Sequence, residues 1–234
     1  SSASITPANV YSSGSDNCET VNQVSVIPNS FTCANIGSNI VTLTVNDGHG
    51  NTATCTATVT VNDFTPPNIF CKNISVNLSG TSVTLTPESV FDFGNDNCGT
   101  VNLVSVNPPI LTCDQLGFSL VQLSANDGHG NVATCNAFVN LIDVTPPTFT
   151  SCPSDVTVSA NEFCIAIANW AEPVVSDNCS ATLQQNEGSP NGEFFGFGVS
   201  NVSYIATDPS GATAEWSFTV TVEDNTPPSN TCYP

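Results

Sequence analysis

Basic side chains are nearly missing from this sequence. Lys72 is the one lysine among 234 residues, and there is no arginine. Nucleic-acid binding needs clustered Lys and Arg to neutralise phosphates, so that class of function is excluded. An anionic membrane surface would repel the chain for the same reason. Charged residues of both signs make up 9%, and the balance is −19, which leaves divalent cations as the natural counterions. Methionine is absent too. Residue 1 is therefore read as the start of a processed, mature segment, with no signal peptide remaining. No apolar run is long enough to span a bilayer, so membrane insertion is not expected.

What is present is cysteine, eleven in all, with 39% hydrophobic residues to build cores. No C-x2-C pair occurs, so disulfides in an oxidising compartment are favoured over zinc. The sequence also repeats itself. "SDNCETVNQVSV" at 15–26 returns as "NDNCGTVNLVSV" at 95–106. "NDGHGNTATCTATVTVND" from Asn46 returns as "NDGHGNVATCNAFVNLID" from Asn126, and a diverged third copy carries "SDNC" at 176–179. Tandem self-similarity of this kind marks an array of similar modules.

Each module reads as strands. "NIVTLTVND" and "SLVQLSAND" alternate apolar with polar residues and run into the turn "DGHGN", after which alternation resumes. That is a hairpin signal rich in Val and Thr, and no amphipathic helix stands out. About six or seven short strands per module of about eighty residues predict an all-β chain of three tandem immunoglobulin-like β-sandwiches. The boundaries fall at 1–64, 65–144 and 145–225, with a tail at 226–234. "TPP" between modules predicts short, stiff linkers that set the modules in a row.

The third module shows Cys152-Pro153, Cys164, Asp177-Asn178-Cys179, Tyr204, "ATDPSG" at 206–211 and "FTVTVEDNTPP". This order resembles the hyalin-repeat (HYR) family, and the first two modules resemble it more loosely. The resemblance covers essentially the whole chain. It implies an immunoglobulin-like fold with extracellular adhesion or scaffolding, and it supplies no catalytic residues. The family's cysteine before the final strand is Trp216 here, so one expected disulfide is missing.

Register raises a question about the ends. "SASITPANV" at Ser2 matches "SVTLTPESV" at Ser82, so module one is expected to lack its first strand. "TPPSNTC" at Thr226 has the spacing of "TPPNIFC" at Thr65. The cysteines agree. Module two holds Cys71, Cys98, Cys113 and Cys135, and module one holds Cys18, Cys33 and Cys55 as counterparts of the last three. Cys232 is the missing counterpart of Cys71. One pairing scheme joins Cys71 to Cys135 and Cys98 to Cys113; a rival joins Cys71 to Cys98 and Cys113 to Cys135. Cys179 and Cys164 complete the candidate disulfide residues. Either scheme leaves Cys232 for another molecule, bonded to its Cys55 or its Cys18. The expectation is that residues 226–234 lie along the last strand of a neighbour's first module and propagate a head-to-tail homopolymer. The alternative is a window of a longer continuous array.

Asp63, Asp143 and Asp224 each precede a junction. In a sandwich of this type the "DNC" loop and the final hairpin turn meet the incoming linker. Asp63 is thus expected beside Asp96 and Asp127, and Asp143 beside Asp177 and Asp208. Asp16 and Asp47 are the counterparts in module one. Oxygen-rich clusters of this kind suit calcium, whereas Asp and Asn also serve plain turns. His49 and His129 share one place in "DGHGN", have no nucleophile partner, and read as turn residues. "NGEFFGFG" at 191–198 is either a sugar-stacking patch or core packing. Sequons mark Asn73, Asn77, Asn178 and Asn201 as glycosylation candidates. The leading expectation is a non-enzymatic subunit of an extracellular fibre or surface appendage. The alternative is part of a larger surface adhesin that binds sugar or protein.

Overall fold

A computed structural model describes residues 2–231. The all-β expectation holds: the helical content of the described residues is two single turns, Pro7–Val10 and Pro87–Val90, and two 3-10 turns, Cys33–Asn35 and Cys113–Gln115. The described structure falls into two compact units. One comprises residues 2–73, 86–109 and 120–137, and the other comprises 74–85, 110–119 and 138–231. The division runs through the second repeat and not through the Thr-Pro-Pro linkers.

In the first unit, strands Asn22–Ile27, Gly37–Asn46 and Thr52–Val61 form one antiparallel sheet. The hairpin between the last two is in unbroken register from Gly37 opposite Val61 to Asn46 opposite Thr52. Its alternation sends Val41 and Leu43 inward, where Val41 packs with Val26 and Phe31. The second repeat copies this pattern, with Asn102–Asn107 beside Gly117–Asn126. It also has an opening strand, Asn68–Cys71, antiparallel to Phe91–Asn95. Here Gly94 is required: a Cβ on it would lie 2.9 Å from the Asn68 carbonyl oxygen.

In the second unit, Ile74–Leu78 runs parallel to the end of Val132–Asp143, from Val139 opposite Ile74 to Asp143 opposite Leu78. The first strand of the second repeat is therefore split, one half in each sheet. The third repeat repeats the split. Val156–Ser159 lies parallel to Thr213–Glu223, which pairs with Gly198–Thr207 and through it with Thr182–Glu187. The opposite face holds Thr148–Ser151 with Val174–Ser176, and Ile165–Ile167 with Phe194–Gly196. A parallel first half-strand beside the last strand, with two layers of short strands, is the immunoglobulin-like sandwich. Its core contains Phe195, Val202, Tyr204, Phe218 and Val220, and Trp170 meets Phe195 and Phe218 edge-on. The Trp170 indole N–H donates to Tyr204 Oη at 2.9 Å, so the buried polar tips satisfy each other. Burial pushes the Tyr204 phenol up, and the neighbouring Glu172 adds to this against the indole bond.

The first repeat differs at its closing strand. Among the described residues Thr52–Val61 has Gly37–Asn46 on one side and no strand on the other. Ala57, Val59 and Val61 are half-buried, whereas their counterparts Ala137, Val139 and Leu141 are 1%, 0% and 1% exposed. Residues 11–15, the counterparts of Phe91–Asn95, form no strand.

Candidate metal centres and the cysteine framework

The turn after each hairpin builds one wall of a carboxylate cluster. Asp127 is 1% exposed, and its Oδ1 accepts from the His129 N–H at 2.7 Å and the Asn131 N–H at 3.1 Å. Burial pushes its carboxyl up, but the Asn131 amide and these backbone donors outweigh that and hold it below the usual range. The half-buried counterpart Asp47 is also held low, by the Asn51 side chain first and the His49 backbone next. The linker supplies Asp63, whose Oδ1 accepts from the Thr65 N–H at 3.1 Å and from Asn97 Nδ2 at 3.3 Å. Asn131 Nδ2 donates to the Asp63 carbonyl at 3.2 Å. One atom each from Asp63, Asp127 and His129 then lies within 4.8 Å of the others.

This corrects the expected set at two residues. His129 joins the group instead of remaining a plain turn residue, and Asp96 does not belong to it. Asp96 Oδ2 is spent on the Cys98 and Gly99 N–H groups at 2.8 and 2.6 Å, although its Oδ1 is buried without a partner. The loop is pressed against the turn: a Cβ on Gly99 would overlap the Asp127 carbonyl oxygen.

The second cluster joins the residues expected there, Asp143, Asp177 and Asp208, again within 4.8 Å. Ser210 replaces the histidine of the first and takes the Asp143 N–H on its Oγ at 3.1 Å. An imidazole beside two carboxylates suits a borderline divalent ion, and an oxygen-only set suits a hard one. Among the described residues Asp16, Asp47 and Asp224 enter no such group.

The cysteines keep one bond of the first pairing scheme and none of the rival. Cys71 bonds Cys135. Cys98 reaches back to Cys33 in the first repeat, and Cys179 reaches back to Cys113 in the second. The "DNC" loop meets the 3-10 turn of the repeat before it, so the Cα atoms of Cys33 and Cys98 approach to 4.9 Å. Neither Cys98–Cys113, nor Cys71–Cys98, nor Cys113–Cys135 forms. Cys18, Cys55, Cys152 and Cys164 are exposed and, among the described residues, outside any disulfide, which corrects the expected role of Cys164. Cys152 stands where Cys71 does, but Trp216 occupies the place of Cys135. Cys232 lies outside the described residues.

Of the sequon residues, Asn178 spends its Nδ2 on the Gly80 carbonyl and Asp143 Oδ1, at 3.0 and 3.1 Å, so its side chain holds the loop. Asn73, Asn77 and Asn201 are exposed. In the aromatic stretch Phe195 is core, 3% exposed, while Phe194 and Phe197 face outward at 53% and 65%.

Residues 142–222 match the HYR domain family. Hyalin of Strongylocentrotus purpuratus is 32% identical over 213 residues, covering 85% of this chain and 17% of that protein. Hyalin of Lytechinus variegatus is 32% identical over 84% of this chain and 39% of its own length. This is an HYR-type protein. A sushi, von Willebrand factor type A, EGF and pentraxin domain-containing protein 1 of Rattus norvegicus is 32% identical over 66% of the HYR-type chain and 4% of its own length. The chain thus spans well under two thirds of these relatives. Among solved structures, immunoglobulin domains 1–4 of sidekick-1 cover 87% of this chain and 64% of theirs, with TM-score 0.39 and 15% identity. A three-domain immunoglobulin stretch of titin covers 89% and 84%, with TM-score 0.38 and 9% identity. At that distance the strand order, not the likeness, carries the fold.

Proposed function

We propose that this chain is a non-enzymatic structural part of an extracellular, adhesion-type assembly. In this reading its repeats are stapled to one another by disulfides, and its first repeat is completed by a strand from a second copy. Disulfide staples between repeats support an oxidising, extracellular setting. The observation that carries the strand reading is the groove of about 570 Å³ in the first repeat. Residues 10–16 form one wall, and Thr52, Ala53, Thr54, Cys55 and Thr56 form the other. In the second repeat the equivalent walls are bridged by Asn68–Cys71, through its ladder to Phe91–Asn95 and the Cys71–Cys135 bond. Gly14 stands where Gly94 lets that strand pass.

The occupant is a Thr-Pro-Pro-x-x-x-Cys strand, and residues 226–232 have that pattern. The template also shifts its expected place. The inserted strand would pair with residues 11–15, and only its disulfide would reach Cys55 in the closing strand. Main-chain bonds would supply affinity, and the cysteine would set register.

The small share of the hyalins that the chain covers favours a second reading, a segment of a longer adhesin array. Cys18 separates the two. Cys33 and Cys113 sit at one offset before the positive-φ glycines Gly37 and Gly117; Phe194 sits at that offset before Gly198. A third repeat docking on the first repeat of the next copy would present Phe194 to Cys18, leaving a thiol. A preceding repeat of the first or second kind would present a cysteine to Cys18, as Cys33 is presented to Cys98, and the oxidising compartment would close the disulfide. The test is a synthetic peptide of residues 226–234, oxidised with the chain and mapped by mass spectrometry. A Cys232–Cys55 bond with Cys18 alkylatable supports the proposal. No peptide bond at Cys55, or unchanged fibres after deletion of 226–234, refutes it.

A further inference from the structure

The second carboxylate cluster holds more unspent oxygen than turn chemistry requires. Each of its acids uses one oxygen locally. Asp143 Oδ1 accepts from the Thr145 N–H and from Asn178 Nδ2, both at 3.1 Å. Asp177 Oδ1 accepts from the Cys179 and Ser180 N–H groups at 2.9 and 3.2 Å. Asp208 Oδ1 accepts from the Ala212 N–H at 2.7 Å. The remaining oxygens, Oδ2 of all three acids and Oδ1 of Asn178, are buried without a hydrogen-bond partner among the described residues. Asp143 and Asp208 are 3% and 5% exposed. Buried acceptors of this kind are paired in nearly all proteins, and buried carboxylates that face each other repel unless a cation sits between them. No Lys, Arg or His belongs to the group.

We propose that Asp143, Asp177, Asp208 and the side-chain carbonyl of Asn178 bind one calcium ion. Ligand number and type support the choice. Magnesium keeps several of its waters and usually takes only one or two carboxylates, whereas calcium accepts three carboxylates and an amide oxygen together. The three carboxylates each place an oxygen within 4.8 Å of the others, close enough to share one ion. Four protein oxygens leave room for the waters that fill a shell of roughly six to eight. The ion also reaches a covalent link, because Asp177 and Asn178 adjoin Cys179 of the Cys113–Cys179 bond. It would fix the loop that carries that staple. This site stands apart from strand completion, and either reading survives the failure of the other.

The test is calorimetric titration of the chelator-treated full chain with calcium chloride alone. Any calcium taken by the first cluster is removed by reading the second by difference against Asp208→Asn and Asp177→Asn, which keep the oxygens that accept from the backbone. The expected result is a site of Kd on the order of 10⁻⁴–10⁻³ M that weakens at least about tenfold in each variant, with magnesium weaker by a similar factor. Asp224→Asn, in no cluster, should leave it unchanged. Circular dichroism checks that the variants fold, and slower reduction of Cys113–Cys179 by dithiothreitol in calcium than in chelator gives an independent readout. No calcium heat at millimolar concentration, equal binding by wild type and both variants, or equal affinity for magnesium would each overturn the proposal.

Discussion

Replacing Cys71 and Cys135 together by alanine should be costly, and the cost can be worked from the chain. The bond closes a loop of sequence separation 64. Neither of the other bridges gives a shorter path between its ends, so its removal frees the whole loop. In the chain-entropy account a loop of that size contributes about 4 kcal/mol at room temperature. For a chain of this length that is a fall in Tm of roughly 8–16 °C. The Cys113–Cys179 bond has separation 66, so its alanine pair should fall by nearly the same amount. The two bonds differ in kind, one within a repeat and one between repeats, so equal losses are a sharp expectation of the entropy argument. Scanning calorimetry on the oxidised wild type and the two double variants is the measurement. A shift under about 1 kcal/mol for either pair, or a twofold difference between them, would refute it. Native packing around the bridge would then be the larger contribution.

Gly99→Ala should break the contact between the "DNC" loop and the hairpin turn of the second repeat, because the new methyl would overlap the Asp127 carbonyl; amide exchange in the turn should speed up while the third repeat is unaffected. Phe195→Ala removes a 3% exposed ring that meets Trp170 edge-on, and should cost about 3–5 kcal/mol in guanidinium unfolding followed by tryptophan fluorescence. Asp155 is held below its ordinary 3.8 by the Thr219 backbone N–H first and the Thr219 side chain next. A lowered folded value means its stabilisation is present above 3.8 and is lost as pH falls through the folded value. Asp155→Asn should therefore be less stable than wild type near neutrality and equal to it in strong acid; a gap that persists in acid would show that the contact is not ionic.

The local architecture is written in the sequence because its signals have short range. Alternation with period two around "DGHGN" determines the hairpins, and repetition of the pattern determines that each repeat carries one. The convergence of the linker aspartates on the hairpin turns is legible for the same reason, since loop, turn and linker meet in any such sandwich. Tertiary structure alone decided the partners. Cys33–Cys98 and Cys113–Cys179 join residues 65 and 66 apart across repeat boundaries, and parity within a repeat carries no information about which neighbour's loop comes near. It also decided that His129 displaces Asp96 in the first cluster, because which atom points inward depends on how the Asp96 carboxylate is spent on its own loop. The split of each first strand between two sheets was hidden as well: both halves alternate in the same way, and only packing tells them apart.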